Sequence, residues 1–173
     1  EITEFAFRNN TQLTAVTIAN TVTRIGRLAF YNCSSLATIK IPDSVTYIGT
    51  VAFSGTPWWD NQPDGLLYIG KVAYKYKGTM PENTSITIKD GTVCIGASAF
   101  AYRSGMTSIT LPNSLQEIDG SAFDNCTGLT SVTIPNSVTK LGDSAFYMCS
   151  GLTSVTIPNS VTEIGNAVFN DCT

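Results

Sequence analysis

The sequence predicts a solenoid of stacked, mainly β coils, and three observations support this fold class. Phenylalanine recurs at a nearly constant spacing: five of the six intervals between its anchor positions are 23 residues, and the interval from Phe53 to Phe100 is 47. A fixed period of this size is typical of repeat solenoids. Each interval contains a short apolar–polar alternation, and charged residues are only 13% of the chain. The anchors are Phe7, Phe30, Phe53, Phe100, Phe123, Phe146 and Phe169.

The last complete coil indicates how one repeat is built. Residues 155–157 (Val-Thr-Ile) alternate apolar and polar side chains, which predicts a first strand. Pro158 and Asn159 end this strand, and the short side chain of Asn159 is expected to cap the corner by bonding nearby backbone. A second extended piece, residues 161–164, leads to Gly165 and to the anchor ring, which we expect in a tight helical or 3₁₀ turn. The other corners carry Asn20, Asp43, Asp90, Asn113 and Asn136.

The repeat divides the chain into three parts. Residues 1–53 hold a half coil followed by two full coils, residues 54–85 form an inserted aromatic hairpin, and residues 86–173 hold four coils, of which the third coil of the array is irregular. No coil can bury its apolar side alone, so stacking must supply the core. The chain begins at Glu1 without a leader and stops part-way through a repeat, so we expect a fragment of a longer protein or a trimmed mature chain.

The repeated pattern has a recognisable form: Leu-x-x-Val-x-Ile-Pro-x-Ser-Val-x-x-Ile-Gly-x-x-Ala-Phe-x-x-Cys. It resembles the BspA-like class of bacterial leucine-rich repeat. The resemblance covers all of the chain except an insert of about 30 residues, which interrupts the repeat. It implies a curved solenoid with a parallel sheet on its concave face. Single departures from the pattern are Lys89, Thr92, Arg103 and Asp119, which replace Pro, Val, Cys and Gly.

The five cysteines suggest a structural column. Four of them fall three residues after an anchor ring, and the fifth, Cys94, lies in a second strand. Our preferred interpretation is a column of small buried thiols. A disulfide between neighbouring coils, such as Cys126 to Cys149, is the first alternative, although laddered Cβ atoms near ~4.8 Å are far apart for a bridge. A zinc site is the second alternative, and the chain has no His to support it. The four column members are Cys33, Cys126, Cys149 and Cys172.

Composition argues against most kinds of catalysis and against several partners. Without His, neither a Ser-His-Asp nor a Cys-His nucleophile can form. Glu117, Asp143 and Glu163 occupy regular solvent-facing positions rather than forming a carboxylate pair. The ten Lys and Arg are scattered, and no apolar run reaches the ~18–20 residues of a membrane span. The sequence therefore predicts a non-enzymatic protein with no metal, no cofactor, no nucleic-acid partner and no membrane insertion by this segment.

A surface of small hydroxyl groups is predicted on the outward side of the first strands. We interpret it mainly as a solvated strand face, because Ser and Thr suit exposed strands and bond across them. A binding face is the alternative, since repeat solenoids often use their concave surface. The outward pairs are Ala15 and Thr17, Thr38 and Lys40, Ser85 and Thr87, Ser108 and Thr110, Ser131 and Thr133, and Ser154 and Thr156.

The insert carries the candidate binding residues, including both Trp of the chain. Residues 66–69 and 72–77 flank Gly70-Lys71, which predicts a two-residue hairpin with one aromatic and one basic face. Such aromatic and basic side chains could hold a protein partner or stack on sugar rings. The alternative is that the aromatic face packs onto the solenoid at the break in the repeat. The candidates are Trp58, Trp59, Tyr68, Lys71, Tyr74, Lys75 and Tyr76.

The resemblance, more than any motif, supplies the functional expectation. It implies an extracellular or cell-surface protein of host-associated bacteria that acts in adhesion or protein–protein recognition. A protein partner, which could be a host protein, is the first expectation, and glycan recognition by the insert is an alternative. The other alternative is a passive spacer within a larger surface protein.

Overall fold

The computed structural model describes residues 1–172 and consists of short strands with a single turn of helix. In chain order the elements are β1 (Ala15–Thr17), β2 (Arg24–Ile25), β3 (Thr38–Lys40), β4 (Tyr47–Ile48), α1 (Pro57–Asp60), β5 (Gly65–Ile69), β6 (Val72–Lys77), β7 (Thr84–Thr87), β8 (Cys94–Ile95), β9 (Met106–Thr110), β10 (Glu117–Ile118), β11 (Ser131–Thr133), β12 (Lys140–Leu141), β13 (Ser154–Thr156) and β14 (Glu163–Ile164). This mainly β repeat architecture confirms the predicted solenoid.

Neighbouring coils pair in parallel with the register that the repeat predicts. Ala15 lies opposite Thr38, Ser131 opposite Ser154, and Glu117 opposite Lys140. The first strands form the pairs β1–β3, β7–β9 and β11–β13, while β8, β10, β12 and β14 form a continuous ladder of second strands. Since each strand is two to five residues long in the regular coils, the coils gain their stability from stacking rather than from strand length.

The anchor rings form a stacked column in each half of the solenoid. Ring centroids of successive anchors lie 4.9–5.7 Å apart within both halves. Interplanar angles there are 2–11°. Phe30, Phe53, Phe100, Phe123 and Phe146 have no exposed surface. The predicted spine of buried rings is therefore present, and the insert separates its two halves.

The anchor turn has the hydrogen bonds of a 3₁₀ turn but does not continue as a helix. In the coil of Phe30, Ala29 N donates to Gly26 O over 3.3 Å and Cys33 N donates to Phe30 O over 3.3 Å. Leu28 and Asn32 have φ values of 56°. A left-handed residue on either side of the ring reverses the chain direction, so the turn ends within one coil.

The glycine that precedes this turn is required by close contact between coils. A Cβ atom added to Gly142 would lie 2.4 Å from the backbone nitrogen of Gly120 in the preceding coil. Such a contact cannot be relieved by rotating a side chain, because the obstructing atom is backbone. The Gly position of the repeat thus sets how closely the second strands stack.

The predicted Asx cap at the corner after the first strand is wrong. The corner is closed by backbone, as in the bond from Val138 N to Pro135 O over 3.0 Å. Within the described residues none of the six Asx side chains makes a hydrogen bond, and Asn136 and Asn159 are exposed. The backbone already forms its own β-turn there, so no side-chain acceptor is needed.

All five cysteines are free thiols. Cys126 Sγ donates to Phe100 O and Cys149 Sγ donates to Phe123 O, each over 3.0 Å. Burial raises the pKa of each of these two thiols to about 12. Cys33 and Cys172 make the equivalent bond to Phe7 O and Phe146 O. These four thiols are therefore protonated donors, each bonded to the coil before its own, in the column that the preferred interpretation predicts.

The apolar interior consists of two clusters that meet at β6. The N-terminal cluster runs from Ile18 to Tyr74 and includes Cys94, and the C-terminal cluster contains Ala73 and the buried residues from Met80 to Val168. Ala73 and Tyr74 are adjacent in β6 but belong to different clusters. The insert therefore lies where the two halves of the core join.

Candidate functional site at the insert

Helix α1 opens the insert and is held at both ends. Thr56 is its N-cap: the hydroxyl accepts from Trp59 N over 3.1 Å and donates to Phe53 O over 2.7 Å. Pro57 occupies the first turn, where its missing N–H has no cost. At the other end Lys77 Nζ donates to the carbonyls of Asp60 and Gln62, which suits the negative end of a helix.

The hairpin after α1 has the predicted strands and turn. Strands β5 and β6 pair antiparallel around Gly70-Lys71, and Gly70 has the positive φ of 56° that such a turn requires. Its second strand also does something that the sequence analysis missed. Val72 and Ala73 pair in parallel with Cys94 and Ile95. Strand β6 thus supplies the second strand of the coil that the repeat lacks.

Tyr76 takes the backbone place of the missing anchor. Tyr76 N donates to Ala99 O over 2.8 Å, as Phe100 N does to Ala122 O in the next coil. Its ring lies 6.4 Å from that of Phe100 at an angle of 39°. The spacing of 23 residues from Phe53 to Tyr76 could have revealed this equivalence, but the ring at that position is not Phe.

Trp58, Trp59 and Tyr74 pack on the end of the N-terminal ring column. The centroid of Trp58 is 4.9 Å from that of Phe53, and Tyr74 contacts Phe53 at 5.8 Å and Trp59 at 5.6 Å. Tyr74 is 7% exposed. Burial raises its pKa, and its hydroxyl lies against the backbone of Phe53 and Ala52. Tyr74 therefore packs between Phe53 and Trp59, while Trp58 packs directly on Phe53.

The two Trp rings line different cavities. Consecutive residues on a helix point about 100° apart, so Trp58 and Trp59 diverge. Trp58 lines an open groove of about 310 Å³, which we name the gap groove. Trp59 lines a smaller cavity of about 180 Å³ on the side of the anchor turns, with Tyr74 and Lys75. The gap groove is lined by Ile39, Ile41, Asp43, Trp58, Gln62, residues 67–70 and Lys89.

Tyr68 and Lys89 form the wall of the gap groove opposite β3. The Tyr68 hydroxyl accepts from Lys89 N over 3.2 Å, and Lys89 Nζ lies 4.2 Å from the ring centroid. Regular coils have Pro at the position of Lys89, as in Pro42 and Pro135. The departure from the repeat thus provides both a backbone donor and a cation, and Tyr68 binds both.

The remaining candidates lie outside the gap groove. Lys71 is exposed on the hairpin turn. Lys75 Nζ donates to Ser98 O over 2.8 Å, and burial, with Arg103 nearby, lowers its pKa. Arg103 also lies 5.6 Å from the Tyr76 ring and donates to Tyr76 O. The seven candidates are therefore split, with Trp58 and Tyr68 alone brought together at the groove.

The hydroxyl face and the residues beside it are linked by hydrogen bonds between coils. Ser108 Oγ donates to Ser85 Oγ over 2.8 Å. At the entry to the first strands, Thr107 and Thr130 donate to Thr84 O and Thr107 O of the preceding coils. These bonds between coils support the interpretation of this face as a solvated strand surface.

Charged side chains collect on the second strands of the last coils. Lys140 Nζ lies 2.8 Å from Glu117 Oε1, and this bond raises the pKa of Lys140. Lys140 borders an open cavity of about 490 Å³ with Asp119, Asp143 and Glu163. Among residues 1–172 no three His, Cys, Asp or Glu side chains are grouped as metal ligands. This cavity contains no aromatic side chain and none of the predicted site residues.

Asp119, which stands where other coils have Gly, is expected to make stability depend on pH. Burial raises its pKa, Oδ1 accepts from Gly120 N, and Oδ2 is buried without a hydrogen bond. A folded pKa above the unfolded value near ~3.9 means that stability is lost as pH rises through the folded pKa. Asp119→Asn should match the wild type in urea unfolding at pH 3 and exceed it by about 1 kcal/mol at pH 7.

The exposed Asp90→Asn is the control, and it should match the wild type at both pH values, since Asp90 lies in solvent. An Asp119→Asn protein that is no more stable than the wild type at pH 7 would show that the carboxylate is adequately solvated.

The described part of the chain, residues 1–172, contains no helix of the length and hydropathy that a membrane span requires.

Comparisons with known proteins agree with the coil geometry. The BspA type leucine-rich repeat region matches in six copies, over residues 1–76 and 67–173. No curated protein matches the sequence. A leucine-rich cell surface protein of Faecalibacterium prausnitzii A2-165 is similar in structure, with a TM-score of 0.54 and 24% identity over 98% of this chain and 60% of its own.

Two further solved structures share the fold. A leucine-rich repeat protein of Bacteroides ovatus is 30% identical with a TM-score of 0.51, over 98% of this chain and 44% of its own. The pneumococcal vaccine antigen PcpA is 19% identical with a TM-score of 0.51, over 93% of this chain and 55% of its own. The chain thus spans 44–60% of the length of these three proteins. With the repeat matched along its whole length, the chain belongs to the BspA-type leucine-rich repeat family.

Proposed function

We propose that this chain is a non-enzymatic binding module of a bacterial surface or secreted protein, and that it recognises a protein partner in adhesion through the gap groove. The observation that carries the proposal is the groove itself. It lies at the one interruption of the 23-residue repeat within residues 1–172, and it combines aromatic faces with charges of both signs.

The groove has the features of an interface centre. Trp58 and Tyr68 are half-buried, so each is held rigidly while part of its surface is left for a ligand. Aromatic residues that become fully desolvated at the centre of an interface contribute much of the binding energy in many protein complexes. Asp43 and Lys89 supply a negative and a positive group on opposite sides. The hydroxyl face, by contrast, offers no aromatic anchor.

A glycan is the second candidate ligand of the same groove. Trp58 and Tyr68 could each stack on a sugar ring, and Asp43 and Gln62 could accept from or donate to its hydroxyl groups. Cell-surface localisation is part of the proposal as well. It is supported by the Faecalibacterium prausnitzii protein, whose description is a leucine-rich cell surface protein.

An array of matrix proteins and glycans tests the proposal. Trp58→Ala should weaken binding of the captured ligand by about tenfold or more, because it removes an anchor ring. Asp43→Ala, on an exposed side chain, should weaken it without affecting the core. Tyr102→Ala removes a 67% exposed ring far from the groove and should leave binding unchanged. Circular dichroism establishes that each variant is folded.

Two results would contradict the proposal. Binding that survives both groove substitutions would place the site elsewhere. A wild-type protein that captures nothing from either array would favour the passive spacer.

A further inference from the structure

We propose that the gap groove binds an extended segment of a protein partner as an added β-strand along the free edge of β3. This inference rests on the proposed function and specifies the chemistry of the partner. The added strand would take the place of the first strand that the interrupted coil lacks.

The insert bypasses β3 on its way across the solenoid. Trp58 N donates to Leu36 O before β3, and Lys71 N donates to Val45 O after it, each over 2.9 Å. Between these two points no bond from the insert reaches the backbone of the second coil within the described residues. Strands β3 and β7 share no hydrogen bond within the described residues, and the coil between them has no first strand. The regular neighbours β9 and β11 are by contrast linked from Thr130 N to Thr107 O over 3.5 Å. The first-strand ladder is therefore open between β3 and β7.

The direction of the backbone groups shows which of them are free. Thr38 N donates to Thr14 O and Lys40 O accepts from Ile18 N, so alternate residues of β3 face the preceding coil. The N–H and C=O groups of Ile39 and Ile41 must then face the gap, because the backbone groups of successive residues alternate in direction along a parallel strand. Ile88 N donates to Thr110 O of the next coil, so its backbone groups point away from the gap. By the same alternation the backbone groups of Ser85 and Thr87 face the gap.

The Tyr68 hydroxyl supplies a hydrogen-bond acceptor at the edge where the missing strand would lie. Lys89 follows Ser85 and Thr87 in the series that faces the gap, and its N–H bonds to the Tyr68 hydroxyl. In the regular coils with Pro here no donor exists. A side chain thus satisfies the one donor that the repeat does not normally present, and the strand edge beside it keeps its alternating N–H and C=O groups.

The alternating backbone donors and acceptors of this edge favour an extended peptide as the ligand. N–H and C=O groups carry opposite partial charges and alternate along β3, and an extended peptide presents the complementary alternation. A helix cannot, since its own backbone groups are paired internally. Side chains on the added strand would meet the positions that Val and Ser or Thr occupy in regular coils. The favoured partner segment therefore alternates β-branched and small hydroxyl residues, without net charge.

The chain's own repeat supplies the probe. A synthetic heptapeptide with the sequence of residues 152–158, Leu-Thr-Ser-Val-Thr-Ile-Pro, is titrated into ¹⁵N-labelled protein, and amide shifts are followed by NMR. Binding should shift Ile39, Ile41 and Lys89. Ser154 and Thr156 occupy the repeat positions of Thr38 and Lys40, whose backbone groups face the preceding coil. The N–H groups of their copies in the peptide should therefore face β3.

Two N-methylated peptides form a matched pair. Methylation of the nitrogen copied from Thr156 removes a donor to β3 and should weaken binding about tenfold, as expected for one lost hydrogen bond. Methylation at the copy of Leu152, which lies before the paired residues Ser154–Thr156, leaves the donors to both gap edges in place and should weaken binding by no more than about threefold. Both peptides carry the same added methyl group, so conformational effects are matched.

Three outcomes would overturn the inference. These are equal loss with both methylated peptides, shifts confined to Val155 and the terminal edge of β13, and no shift at millimolar peptide. None of them would overturn the proposed function, since an array ligand that depends on Trp58 would still bind. Loss of both the peptide shifts and all array binding would overturn the two proposals together.

Discussion

Phe123→Ala is expected to lower the free energy of unfolding by about 3–5 kcal/mol, the range for truncating a buried ring. Phe123 has no exposed surface, and its ring is stacked 5.4 Å from Phe100 and 4.9 Å from Phe146. Removal of the ring leaves a cavity with ring faces on both sides. The backbone of neighbouring coils is bonded tightly around it, from Phe123 N to Ala145 O over 2.7 Å, so the site cannot collapse easily.

The matched control is Phe7→Ala. Phe7 occupies the same position in the repeat but is 38% exposed and stacks on one side only, against Phe30. Its loss should cost less than half as much, because less apolar area returns to water. Urea unfolding followed by circular dichroism measures both variants. Similar costs for the two would show that ring stacking along the column contributes little beyond local turn packing.

The regular coils could be predicted because each contact is repeated at a fixed offset. The 23-residue spacing determines the strand register, the ring column and the thiol column together. An irregular residue in one coil therefore does not change the alignment, because the other coils define it. The resemblance named the family for the same reason. The Asx cap failed because sequence cannot show whether a backbone turn has already satisfied the groups that a side chain could reach, as Pro135 O and Val138 N do.

The insert was harder to predict because no second copy of it exists in the chain. Its strands and turn follow from Gly70-Lys71 and the alternation around it, but its place in the solenoid depends on pairing at long range. Between the second-strand residue and the anchor position, β6 has two intervening residues, Tyr74 and Lys75, where the next coil has four, from Gly96 to Ala99. In β6 the turn is therefore replaced by continuous strand.

Tyr74→Ala is expected to lower stability by about 3–5 kcal/mol and to uncouple the two halves of the solenoid. Tyr74 is 7% exposed and contacts Phe53 and Trp59 where the N-terminal cluster ends. Stability in a repeat protein is a sum of coil terms and interface terms between neighbours. Weakening this interface should separate unfolding into two transitions, with the shorter N-terminal half unfolding first.

Tyr74→Phe is the control, since it keeps the ring and removes only a hydroxyl group. It should cost no more than about 1.5 kcal/mol and keep a single transition. Trp fluorescence reports the junction through Trp58 and Trp59, while circular dichroism reports all coils, so the two signals should separate in Tyr74→Ala and coincide in Tyr74→Phe. If they coincide in both, β6 pairing with β8 is sufficient to couple the two halves, and the aromatic contacts contribute to stability without determining cooperativity.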